Sequence, residues 1–283
     1  MRRTTVRAHD DGTDSWHVTE AAPAAALAGQ IARYADYTER TGTFTARREL
    51  AGTGGVLLIN LGDPIEIVAA SGDILRVGAG EGFVGGVSED TSLSRSTGEQ
   101  TGVHVFAPLE VLARIVGCPA AELANRVVAL GAVLGLARAL GQRLGEANGA
   151  DRRFDLLDGF IADRLARAPA PDRPVEAAAA MLRRVPEAIA RVAEAVDVDR
   201  RTLARRFAAT YGVSPRRYTR IARFEAFASA LAARPQTALV DLALEAGYFD
   251  QPHLNRDVRA LAGSTPVELR RRLLPAGGGF VEG

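Results

Sequence analysis

Two stretches near the C-terminus repeat one another, and the repeat limits what this part of the chain can be. Residues 189–215 read IARVAEAVDVDRRTLARRFAATYGVSP and residues 239–266 read LVDLALEAGYFDQPHLNRDVRALAGSTP. In the leading stretches Ile189, Val192 and Ala193 align with Leu239, Leu242 and Ala243 at an offset of 50. After a turn the offset becomes 51: Asp199 meets Asp250, Leu203 meets Leu254, Arg205 meets Arg256, Phe207 meets Val258, Gly212 meets Gly263 and Pro215 meets Pro266. The second copy has one more residue in its turn. Matched apolar and polar positions mark a duplicated supersecondary unit.

Each copy predicts helix, short turn, helix. Ile189, Val192, Ala193 and Val196 recur at helical spacing. Asp199 and Asp250 are natural N-caps for the second helix, because a carboxylate accepts from the open amides of the next turn. Leu203 and Phe207 face inward, as do Leu254, Val258 and Leu261. Gly212 suits a helix stop, and Ser214 and Pro215 suit the next start. The outward face carries Arg200, Arg201, Thr202, Arg205 and Arg206 in the first copy, and Gln251, His253, Asn255 and Arg256 in the second. That is the layout of a helix-turn-helix whose second helix reads the major groove. Arg can fork onto guanine, and Asn or Gln can pair with the adenine edge. The bland alternative is a solvated helix face. Two copies, each with an Arg two residues after the core Leu, weigh against it. His253 taken alone would be a candidate base or metal ligand. It aligns with Thr202, and Asp250 is better used as a cap, so it is expected to meet a phosphate or a base edge.

Between the copies, residues 214–234 read SPRRYTRIARFEAFASALAAR. Tyr218, Ile221, Phe224, Ala228 and Leu231 trace one apolar stripe, which predicts one long helix. Some 20 residues of helix span roughly 30 Å, and recognition helices in successive major grooves lie about 34 Å apart. Arg216, Arg217, Arg220 and Arg223 lie at its start or on its polar side, where phosphate contacts are expected; plain surface charge is the alternative.

Charge supports a polyanionic partner. The three prolines of APAPDRP, residues 168–174, read as a boundary. Residues 1–172 hold 17 Arg against 22 Asp and Glu, net −5, and residues 173–274 hold 18 against 11, net +7. A basic part joined to an acidic one fits nucleic acid. Every basic residue is Arg, a compositional bias that discounts arginine number alone.

The region from about Pro186 to Arg272 resembles the DNA-binding domain of AraC-family transcriptional regulators. The resemblance is carried by DRRTLARRFAATYGVSPRRY and by DLALEAGYFDQPHLNRDVRALAGSTPVELR, with its A-x-x-x-G-Y-x-D-Q-x-H-L-x-R and G-x-T-P pattern. It covers about a third of the chain. It implies two helix-turn-helix units, about residues 187–212 and 237–263, sharing a long helix on an asymmetric DNA site. Val258 stands where the family pattern has Phe. Pro252, early in the second recognition helix, cannot donate to a base.

Upstream, residues 42–106 alternate short apolar runs with turn signals at Gly62-Asp63-Pro64 and Ser71-Gly72-Asp73, which predicts a small antiparallel barrel or sandwich. After Pro108 the texture becomes helical to about residue 167. The stretch RVVALGAVLGLARALGQRLG, interrupted by Arg and Gly, reads as a buried helix, too short for a membrane span. The order of strands, helices and helix-turn-helix units is similar to AraC-type regulators with a cupin-like sensor domain, and residues 47–64 resemble the start of such domains. The expected fold class is thus α+β: an antiparallel cupin-like barrel with helices over residues 1–172, for sensing or dimerisation, then an all-α DNA-binding domain over 173–283.

His9, His17 and His104 are scattered without H-x-H spacing, so no metal is expected, and no other cofactor. The single Cys118, in GCPAAEL, reads first as a small buried residue. At a helix start its thiol pKa could fall, which keeps a second reading: a DNA-directed alkyl-transfer repair or sensor protein. Trp16, Tyr34 and Tyr37 could line a pocket or pack. The helices over 119–147 and 152–167 could cover the barrel or pair subunits. The reading is a sequence-specific transcriptional regulator and not an enzyme. Its partners are double-stranded DNA, with RNA polymerase, a small effector and a second copy admitted. No signal peptide is expected, one cysteine fits a reducing cytoplasm, and no membrane partner is expected.

Overall fold

The computed structural model describes residues 4–42, 46–184, 189–273 and 280–281. The chain opens with β1 (Thr4–Asp10), β2 (Ser15–Ala21) and β3 (Arg33–Arg40). It continues through β4 (Ala46–Glu49), β5 (Gly54–Asn60), β6 (Ile65–Val68), β7 (Ile74–Val77), β8 (Gly82–Gly85) and β9 (Ser92–Arg95) to β10 (Glu99–Pro108). A strand's period of two gives it two faces. In β10, Val103, Val105 and Ala107 join the main core beneath the helices, while His104 and Phe106 face a cavity.

Three of these strands lie upstream of residue 42, where strands were expected to begin. β1 is exposed along its whole length, so it carries no alternation to detect. β3 hides its alternation by placing the charged Arg33 and Glu39 on the cavity face.

α1 (Leu109–Val116) follows directly, ending on Gly117 at φ 79°. The single helix expected over 119–147 is instead broken. A 3-10 turn at Ala120–Leu123 leads to β11 (Val127–Ala129), α2 (Leu130–Val133) and α3 (Ala137–Glu146). Asn125 takes a left-handed φ of 55° and turns the chain onto the sheet, where β11 pairs with β8. Gly141 in α3 packs so closely on the loop at Gly80 that a Cβ would stand 1.9 Å from its carbonyl oxygen.

The strands form two antiparallel sheets, ordered β1-β2-β3-β10-β5-β8-β11 and β12-β4-β9-β6-β7, where β12 is Phe280–Val281, back from the C-terminus onto Arg47 and Arg48. α4 (Ala150–Arg167) covers the outer face of the larger sheet. Tyr34 stacks on Phe154 with ring centroids 5.6 Å apart and donates to Asp158 at 2.8 Å. Tyr34 therefore packs, and α4 covers the barrel.

The helical half comprises α5 (Arg173–Arg184), α6 (Ile189–Ala195), α7 (Arg200–Tyr211), α8 (Pro215–Ala233), α9 (Leu239–Glu245), α10 (Gln251–Ala262) and α11 (Pro266–Arg272). The expected start of the first unit, near Pro186 and residue 187, lies outside the described residues. Phe207, Tyr211 and Tyr218 pack ring on ring with centroids 4.6–5.4 Å apart. One continuous core runs from the barrel's outer face through α5 to α11.

Candidate nucleic-acid interface

The two recognition helices, α7 and α10, are set by their caps. Asp199 accepts from the amides of Arg201 and Thr202 at 3.1 and 2.9 Å. Asp250 accepts from the amide of His253 at 2.7 Å. Hydrogen bonds from Thr202 hold the Asp199 carboxyl below its usual range. Each turn before the cap needs a left-handed residue: Asp197 at φ 53° in the first unit and Gly247 at φ 86° in the second. An L residue pays a steric penalty there that Gly avoids. Gly212 and Gly263 close the two helices at φ 71° and 64°. α8 joins the units with 19 residues, about 28 Å of helix. It starts on Ser214, which accepts from the amide of Arg217.

The polar side chains fall into two sets. Arg200, Arg201, Arg205, Arg216, Gln251 and Arg256 are exposed, and their side chains have no hydrogen-bond or ion-pair partner among the described residues. Thr202 and Asn255 are half-buried. The second set is engaged. Arg206 forks onto Asp172, its Nε at 3.0 Å. Arg217 lies 3.3 Å from Glu89. Arg220 Nε donates to buried Asp257 at 2.7 Å. Arg223 meets the Nε2 of His253 at 3.1 Å, and that ring also lies 3.6 Å from Asp257 and edge-on to Tyr248. The His253 imidazole thus ties α10 to α8, and of the four arginines on α8 Arg216 is left open.

Four partners escaped the sequence reading: Asp172, Asp257, Glu89 and Glu225. Asp257 carried a local signal, a carboxylate between the core positions Leu254 and Val258. The others meet residues far away in the chain. Glu225, midway along α8, accepts from the Thr53 amide at 3.0 Å and from its hydroxyl at 2.6 Å. Gly212 rests on the 3-10 turn, where a Cβ would stand 2.5 Å from Ala124 Cβ. Arg183 of α5 donates to Tyr218 at 2.6 Å and reaches Glu110 of α1 at 3.4 Å. The first unit is therefore fastened to the barrel side of the molecule.

Between the two sheets lies a cavity of about 570 Å³. Trp16 and Tyr37 are among the residues lining it. Tyr37 stacks on His104 at 4.8 Å, and Phe106 meets that ring edge-on at 5.3 Å. Gly102 makes room for the stack, since a Cβ there would stand 2.8 Å from the Ile59 carbonyl oxygen and 3.0 Å from Tyr37 Cε1. Burial, helped by Arg47 and Arg33, drives the His104 pKa down to about 3, so the ring is neutral. Gly52 and Ser88, which bridge each other's backbones at 3.0 and 3.2 Å, also line the cavity. Their neighbours Thr53 and Glu89 hold α8.

Cys118 follows the C-terminal stop of α1 and precedes one 3-10 turn. Its thiol lies 3.6 Å from the Glu122 carboxylate. Burial and Glu122 raise its pKa, the reverse of what a nucleophilic thiolate needs. No group of three or more metal-ligating side chains occurs among the described residues, and no helix among them is long and apolar enough to cross a membrane.

A family model described as a helix-turn-helix domain matches residues 192–272, which run from within α6 to the end of α11. The C-terminal region is an AraC-type helix-turn-helix domain. With it, the chain is a DNA-binding transcriptional regulator. Among curated proteins none matches the sequence significantly. Solved structures of ToxT from Vibrio cholerae share the fold of this chain over most of its length. An apo form is 10% identical, with a TM-score of 0.50, covering 93% of this chain and 98% of that one. A form bound to (E)-4-(8-methylnaphthalen-1-yl)but-3-enoic acid is 12% identical, with a TM-score of 0.51, covering 80% of this chain and 97% of that one.

Proposed function

We propose that the chain is a sequence-specific regulator controlled by a small effector in the barrel cavity. Residues 1–172 serve as the sensor part and 173–283 as the DNA-binding part. Arg205 and Arg256 read base edges, with Arg200, Arg201, Gln251 and Asn255 around them. Thr202 and His253 support the two helix starts, Arg216 meets phosphate, and Arg217 does so when released from Glu89. One observation carries the control: the segments 52–53 and 88–89, which border the cavity, also hold α8 through Glu225 and Arg217. An occupant that shifts these segments shifts the helix shared by both recognition units. ToxT, of like fold, is described bound to an arylbutenoic acid, which supports a small-molecule occupant. RNA polymerase, a second copy of the chain and a cytoplasmic setting complete the reading.

The test starts from a target selected by the parent protein out of a random-sequence DNA pool. Arg205→Ala and Arg256→Ala should each relax base choice at one position, losing about 1–3 kcal/mol there. If both variants keep the parent's base preferences, the recognition-helix assignment is wrong.

A further inference from the structure

We infer that the barrel cavity takes an organic cation with an apolar, aromatic body, its charge held against Glu49. The inference rests on the reading of the cavity as an effector site.

The charges along the cavity are not evenly matched. At the β1–β2–β3 end, Glu20 accepts from both Arg7 and Arg33, at 3.0 and 3.1 Å. Those guanidiniums are 41% and 43% exposed, so water screens their surplus charge. At the β4 end, Arg47 is bonded to Glu39 at 2.6 Å, with the two side chains only 15% and 12% exposed. Glu49 lies two residues along β4 from Arg47, on the same cavity-facing side. Among the described residues its carboxyl has no hydrogen-bond or ion-pair partner. The drier end thus sets two carboxylates against one guanidinium that is already bonded. Electrostatic interactions count for most where water is excluded, so this end decides the sign of the guest. An anion there would face Glu49 and would have to displace Glu39 to reach Arg47.

The walls point the same way. Tyr37, stacked on His104, feels Glu39 and Glu49 as well as Arg47, and aromatic faces attract cations. The neutral His104 offers no competing charge. Leu58, Ile65, Ile67 and Phe83 form a separate apolar cluster that floors the space. The volume of about 570 Å³ suits a molecule of several rings. Burial raises the Glu49 pKa, Arg47 nearby only partly offsetting it, since a charge in a dry site is disfavoured. A bound cation would reverse that, so cation affinity should rise with pH as Glu49 ionises.

Trp16 is the single tryptophan and lines the cavity, so its fluorescence reports occupancy of the full chain. Three probes of similar bulk separate the outcomes: tetraphenylphosphonium, its isostere tetraphenylborate, and neutral triphenylphosphine oxide. Tetraphenylphosphonium should quench Trp16 and bind about tenfold or more tighter than tetraphenylborate. Glu49→Gln should lower that affinity about tenfold while leaving triphenylphosphine oxide unchanged. In the parent protein, which needs no substitution to fold, the cation's affinity should climb relative to the neutral probe's as pH rises above the usual carboxylate range. Tighter binding of the borate, an unaffected Glu49→Gln variant, or a pH-independent ratio overturns the cation assignment. The effector reading survives that result if the neutral probe still binds. If no probe quenches Trp16, the effector reading falls as well.

Discussion

The first helix-turn-helix unit leans on the barrel side of the molecule, and the second leans on α8. In the first, Gly212 sits on the 3-10 turn and Arg206 pairs with Asp172, while Arg217, just beyond the unit at the start of α8, pairs with Glu89. In the second, Arg220, Arg223, His253 and Asp257 close a network between α8 and α10. The repeat aligns the two units residue by residue, yet at one aligned pair Arg206 holds Asp172 while its counterpart Asp257 holds Arg220 of α8. The difference assigns roles: what happens in the sensor part reaches the first unit directly, and reaches the second through the shared helix. It also separates the arginines open to DNA from those spent on holding the protein together.

The largest contrast lies in the cores. Phe207 and Val258 are equivalent positions and both are fully buried. Phe207 packs against Tyr211 and Tyr218, so Phe207→Ala should cost about 3–5 kcal/mol, and Val258→Ala about 2 kcal/mol. Urea unfolding of the two variants measures it. Equal losses would mean that the second unit is packed as tightly as the first despite its smaller side chain.

A smaller contrast lies in the Asp–Arg pairs. Asp257 is 8% exposed and its partner Arg220 39%, whereas Asp172 and Arg206 are 32% and 36% exposed. Asp257→Asn leaves a guanidinium short of its buried carboxylate. Allowing for Arg220's access to water, the loss should be about 2 kcal/mol. Asp172→Asn should cost less than about 1 kcal/mol. Hydrogen exchange should show α9 and α10 amides opening faster in the first variant and α7 amides nearly unchanged in the second. If the two variants lose equally, burial does not distinguish the pairs.

Much of this comparison was legible in the residues, because caps and turns are local. Asp199, Asp250, Gly212 and Gly263 all stand where the repeat puts them, and α8 spans nearly the expected stretch. The alignment also pairs Asp197 with Gly247, the two left-handed turn residues, though their backbone role was not foreseen. The barrel was legible only from residue 42, since β1 and β3 lack an apolar alternation. The long helix expected over 119–147 failed because tertiary pairing of β11 with β8 outweighed helix propensity in VVAL. The contacts joining barrel and helices were invisible, since Glu225 meets Thr53 across 172 residues and Arg217 meets Glu89 across 128. No local pattern encodes a partner that far away.

The smallest effect bears most directly on how the units differ. Arg217 is 66% exposed and Glu89 20%, so the pair contributes little to stability. It does compete with DNA for the guanidinium. Glu89→Gln should leave the melting temperature within about 2 °C of the parent's, yet free Arg217 for phosphate. Because each added phosphate contact steepens log K against log salt by about 0.9, the salt slope should grow by about one contact. Arg217→Ala should leave the parent's slope nearly unchanged, because Glu89 holds that guanidinium in the parent. Arg220→Ala, in the second unit's network, should lower stability more than it changes the slope. If Glu89→Gln leaves the slope untouched while Arg217→Ala reduces it, then Arg217 already reaches DNA past Glu89, and the link from barrel to α8 runs through Thr53 and Glu225 instead.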